Sequence, residues 1–207
     1  MKKKYKRLII LFVVIALLAI GCFLIFKMLK KDDVQENVNV VDSISEYGYN
    51  LDDRDTELMK NIYEELKDVL LADTIDYEKY ADTLARLFVI DLFTMNNKIN
   101  KYDVGGTEYV YPDAIENFKL NVEDTIYKHM ENNSSGKRKQ NLPEVSSIDV
   151  LSTEVGEYTI GETDTFDAYI VDLAWEYVSD LGYDDNATVT LVKMEDKLYV
   201  VEYAVGE

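Results

Sequence analysis

Cysteine, histidine and proline are nearly missing from this 207-residue chain, which has one cysteine, one histidine and two prolines. The cysteine, Cys22, lies inside an apolar run, so the rest of the chain can form no intramolecular disulfide and must be held by a packed core. A single histidine and no second thiol exclude ordinary zinc ligation. Asp184-Asp185-Asn186 is shorter than a calcium loop and lacks a Glu at the required offset, which leaves it as a hairpin turn. Gly105-Gly106 has neither the Lys nor the Ser or Thr of a phosphate loop, and no Gly-x-Ser-x-Gly pattern occurs. The sequence therefore names no catalytic residue, no cofactor site and no metal site.

Positive charge is missing from most of the chain as well. The first 31 residues hold eight of the 22 basic residues and none of the 40 acidic ones, which leaves a formal charge of −26 on residues 32–207. Nucleic-acid binding needs Lys and Arg to displace condensed counterions, so a surface of this sign excludes it. The same field keeps the acidic part away from anionic lipid head groups and attracts basic partners or divalent cations only loosely, and a solvated, highly soluble surface is the leading reading.

What is present is an apolar run. Leu8 to Phe26 contains no charged side chain. As a helix it would be roughly 28 Å long, close to the ~30 Å hydrocarbon core of a bilayer. Five basic residues precede it and three follow before Asp32. The positive-inside rule then predicts a cytoplasmic amino terminus, a single pass through the plasma membrane and a carboxy-terminal domain outside. Leu18-Ala19-Ile20-Gly21-Cys22 also matches a lipobox, and lipidation at Cys22 is the alternative anchor. The apolar residues that continue to Phe26 and the lysines beyond them favour the uncleaved signal-anchor. The absence of disulfides in an exported chain points to a bacterial surface.

The expected organisation is a cytoplasmic tail over 1–7, the membrane segment over 8–26, a flexible acidic tether over 27–54 and an exported domain over 55–207. A first helix is expected from about Asp55 to Leu71, capped by Asp53 or Asp55, with Leu58, Ile62, Leu66, Val69 and Leu70 on one stripe. A second, starting near Asp76 and ending at Asn96, is apolar around most of its circumference and reads as the central helix. A third opens at Pro112 and carries Ile115, Phe118, Val122, Ile126 and Met130 at helical spacing. Glu131 to Glu144 reads as a loop whose Lys137-Arg138-Lys139 is a solvated basic triplet. After it the period changes to two over Val145–Ile160, Thr165–Val178, Ala187–Met194 and Leu198–Val205, which predicts antiparallel strands joined by short turns.

The expected fold class is α+β: an N-terminal transmembrane helix, then three helices packed on a curved four-stranded antiparallel sheet, cone-like. Over Asp55 to Val205 this order of elements resembles the nuclear-transport-factor-2-like or cystatin-like superfamily. With one membrane helix in front, the chain looks like the inner-membrane scaffold proteins of conjugative type IV secretion systems. That resemblance implies an assembly component without catalysis, whereas other members of the superfamily are small enzymes or ligand-binding modules.

Three residues mark a candidate cavity. Asp91 falls on the apolar stripe of the central helix, where a carboxylate is costly unless paired. His129, on the inner side of helix three, is its candidate partner as an acid/base dyad, and Trp175 is expected to line the space. The bland alternative gives Asp91 a core tyrosine as donor and leaves His129 at a helix end. The leading expectation is a non-enzymatic protein-interaction or assembly module whose partners are the membrane, through Leu8 to Phe26, and other envelope proteins, with a homo-oligomer allowed. A ligand-binding or enzymatic cone using Asp91 is the alternative.

Overall fold

The computed structural model describes residues 39–206. The apolar run Leu8 to Phe26, its basic flanks and Cys22 lie outside the described residues, and so do the expectations of a membrane anchor, a lipid anchor and an orientation. Among the described residues no helix is long and apolar enough to cross a membrane.

Residues 39–54, expected as the end of the tether, instead open the folded domain. β1 (Val40–Ile44) and β2 (Tyr49–Asp52) form an antiparallel hairpin. Its turn closes through Gly48, whose φ of 71° suits a residue without Cβ. Alternation along β2 buries Tyr49 and Leu51 while Asn50 and Asp52 point outward, and that half-buried strand fixes the hairpin on the core.

Two helices follow. α1 (Glu57–Leu70) is capped by Thr56, whose Oγ1 accepts from the Met59 amide at 3.3 Å, not by Asp53 or Asp55. α2 (Tyr77–Phe93) is capped by Asp76 and has eleven buried residues, among them Thr83. It packs on α1 and on all four strands of the larger sheet, which makes it the central helix the sequence predicts.

Pro112 opens a single 3-10 turn, Pro112–Ala114, which leads into α3 (Ile115–Asp124). α3 stops well short of Met130. The Thr125 hydroxyl donates back to the Asn121 carbonyl at 2.7 Å, and the Tyr127 amide reaches the Val122 carbonyl at 2.9 Å. This tightened end swings Tyr127 into the interior, where it is fully buried.

β3 (Val145–Ile160), β4 (Asp164–Tyr177), β5 (Asn186–Met194) and β6 (Lys197–Val205) form an antiparallel meander in chain order. Each boundary lies within about a residue of the period-two reading. Irregular register in β3 near Ser147 and Ser152, and between Thr190 and Leu191 of β5 against β6, marks bulges that bend the strands. The domain is thus α+β, three helices with a four-stranded antiparallel sheet, as expected.

Candidate functional site

Asp91 occupies the last turn of α2, where the chain leaves the helix and returns as the Gly105-Gly106 loop. One carboxylate oxygen takes a short bond from Lys98 Nζ. The other accepts from the Gly106 amide at 2.5 Å. The loop lies so close to α2 that a Cβ at Gly105 would stand 2.0 Å from the Asp91 carbonyl oxygen, and Gly106 adopts φ 77°. These glycines permit the approach that delivers an amide to the carboxylate. Lys98 is buried, with 6% of its side chain exposed. Burial opposes its charge most strongly, but Asp91, with Tyr127 and Asp103 adding, holds the ammonium above its ordinary range.

The surroundings tie the same loop down. Tyr127 donates to the Leu92 carbonyl at 2.7 Å and accepts from the Gly105 amide at 3.4 Å. Asp103 accepts from the Ile99 amide at 2.9 Å and from Arg54 at 2.7 Å, and Arg54 also meets Asp52 at 3.1 Å. Arg138, expected within a solvated triplet, is partly buried and donates to the carbonyls of Lys98 at 2.8 Å and Asn96 at 2.7 Å. Its neighbours Lys137 and Lys139 are exposed.

Asp91 and His129 therefore form no dyad. His129 lies in the turns beyond α3, not on it, and is exposed; its backbone carbonyl accepts from Gln140 at 3.0 Å. Trp175 is buried on β4 with its ring 5.1 Å from that of Phe93. The donors to Asp91 are a lysine and a backbone amide rather than the core tyrosine of the alternative, and His129 stands five residues beyond Asp124, the last residue of α3.

Two carboxylates not read from the sequence as site residues stand near Asp91. Glu108, in the 3-10 turn Thr107–Tyr109, accepts from the Asn50 amide at 3.2 Å and so ties β2 to the loop. Burial pushes it up to about 7, with the Asp91 charge adding. Asp55 accepts from the Asp52 amide at 2.7 Å, and burial, reinforced by Asp52 and Asp91, pushes it up to about 6. Neither has a sequence signal: Glu108 is one acid among 40 Asp and Glu, and Asp55 resembles an ordinary helix cap.

An open groove of about 680 Å³ lies elsewhere, between α3 and β6, with Phe88 and Leu92 of α2 at its floor. Phe118, Val122 and Tyr203 give it apolar walls, and Asn117 and Asn121 add amides. None of Asp91, His129 or Trp175 lines it. Among the described residues no group of three or more His, Cys, Asp or Glu is placed to hold a metal ion. No protein-family model, curated protein or solved structure matches this chain.

Proposed function

We infer that this chain is a membrane-anchored, extracytoplasmic module that binds other proteins of a bacterial envelope assembly and performs no chemistry itself. The observation that carries the reading is the state of Asp91. Both its oxygens are engaged by Lys98 and Gly106 in bonds that close the end of α2, so the carboxylate that the sequence singles out for acid–base work has a structural task. The apolar groove, by contrast, is open and of a size that accepts a side chain or short segment of a partner. The anchor and the acidic outer domain read from the sequence supply the location, and the likeness to secretion scaffolds supplies the class of assembly.

The groove also favours a second reading, a small apolar ligand held by contact alone. One experiment separates them. The full chain is extracted from its membranes in mild detergent, purified, and weighed by native mass spectrometry. Retained protein partners are the expected result; a solitary protomer overturns the module reading, and a protomer carrying a small molecule establishes the second.

A further inference from the structure

We propose that the outer edge of β3, from Thr153 to Thr159, is a strand-addition site for an extended partner segment in which lysine or arginine alternates with apolar residues. The proposal deepens the interaction-module reading and rests on it.

Three observations lead there. β3 is the outer strand of the meander and, among the described residues, pairs only with β4. The Trp175 amide of β4 donates to Asp185 on the β5 side, at 2.8 Å. Alternation from that point turns the amides of Thr153, Val155, Glu157 and Thr159 outward, away from β4. An open row of donors and acceptors is a template for another strand.

Next, the far end of this hairpin has no third strand beside it. β4 pairs with β5 only over Ala168–Ala174, so 157–160 and 164–167 continue as a two-stranded ribbon. A two-stranded ribbon is marginal in water, and a third strand would supply the missing ladder. Leu151 and Val155 are 64% and 61% exposed on β3, apolar surface that a purely protective edge has no use for.

Charge then selects the occupant. Residues 141–192 contain twelve Asp and Glu and no Lys, Arg or His. On β3 itself Asp149, Glu154 and Glu157 are all exposed. A second copy pairing antiparallel about Thr153 would bring Asp149 of each chain close to Glu157 of the other, and like charges across a ladder destabilise it. A basic strand meets the opposite sign along the whole edge and is steered toward it by the field.

The probe is an alternating Lys–Val peptide of about eight residues, a common strand length, titrated into the full chain in detergent micelles. An Asp–Val peptide and a Lys–Val peptide broken by central prolines are the controls. The intact basic peptide alone should bind, and it should slow hydrogen exchange at Thr153, Val155, Glu157 and Thr159 by about tenfold or more. Absence of binding, equal binding of the proline-broken peptide, or binding that leaves those amides unprotected overturns the proposal. Val155→Pro removes one outward donor while an edge position spares the ladder to β4, and it should weaken the peptide by about tenfold. Glu154→Lys combined with Glu157→Lys should weaken it as much through charge, and serves if the proline variant fails to fold. Unchanged affinity in a folded variant overturns the site. Envelope partners that still co-purify with folded Val155→Pro protein overturn the edge and leave the module reading intact, whereas peptide binding without any co-purifying protein does the reverse.

Discussion

Truncating Lys98 to methionine removes the ammonium that meets Asp91 and leaves a buried carboxylate with only the Gly106 amide as partner. Breaking one side of a buried pair in this way costs about 3–5 kcal/mol, more than the pair itself adds relative to apolar packing. Lys98→Met combined with Asp91→Leu should therefore unfold at a higher urea midpoint than Lys98→Met alone. The double variant still loses about 1–3 kcal/mol because Gly106 loses its acceptor. A double variant no more stable than the single one would show that the pair is not the determinant of this loop. The sequence marks Asp91 as a carboxylate on an apolar stripe, and that oddity is real. Its answer is not legible, because Lys98 stands beyond the end of α2, where helical periodicity no longer predicts which side chains meet. The contribution of Gly106 depends on a loop returning from fifteen residues away.

The β1–β2 hairpin is the element that composition conceals. Val40–Asp52 interleaves its apolar residues with two Asp, two Ser, a Glu and an Asn, and only Tyr49 and Leu51 are fully committed to the core, too few to give a strand period. Its hold centres on Tyr49 and that residue's distant partners. The Tyr49 hydroxyl donates to the Leu198 carbonyl at 3.2 Å and meets the Tyr80 hydroxyl at 2.6 Å, while Tyr80 accepts from the Leu198 amide. Tyr63 of α1 donates to the Tyr49 carbonyl at 3.0 Å, and Lys197 reaches the Tyr47 carbonyl. A hairpin fastened to α2 and β6 through one ring, and to α1 through the backbone carbonyl of the same residue, should respond to loss of that ring as a core element does. Tyr49→Ala is expected to cost about 3–5 kcal/mol in urea unfolding, whereas Tyr49→Phe, which removes only the hydroxyl circuit, costs about 1–2 kcal/mol. A negligible loss for Tyr49→Ala would restore the tether reading of these residues. The four strands of the meander, by contrast, were legible because burial on a helical layer imposes alternation along each of them. α3 was legible at its start, where Pro112 stands, and not at its end, where Thr125 bonds back to Asn121 while the apolar period runs on.

For the whole domain, the carboxylates set an opposed pair of pH dependences. Glu108 and Asp55 have folded values of about 7 and about 6, above the ordinary carboxylate range, because burial and the Asp91 charge disfavour their ionised forms. The folded state thus binds more protons than the unfolded chain in this window. Their contribution is complete below the ordinary carboxylate range and is lost as pH rises through about 6 and then about 7. Asp172 behaves oppositely. Hydrogen bonds from Thr188 and Ser152 hold it low, and the stability it supplies is present above the ordinary range and lost as pH falls below it. A formal charge of −26 beyond residue 31 adds self-repulsion that eases as acids protonate. The domain should be most stable near about pH 5, and its urea midpoint should fall steadily toward about pH 8, Glu108 alone accounting for roughly 2 kcal/mol. Glu108→Gln keeps an acceptor for the Asn50 amide without the charge, so its midpoint should change less over the same interval. If the parent midpoint is flat or rises from about pH 5 to about pH 8, or if the Gln variant keeps the full slope, the seam between β2 and the Thr107–Tyr109 turn does not govern the pH response.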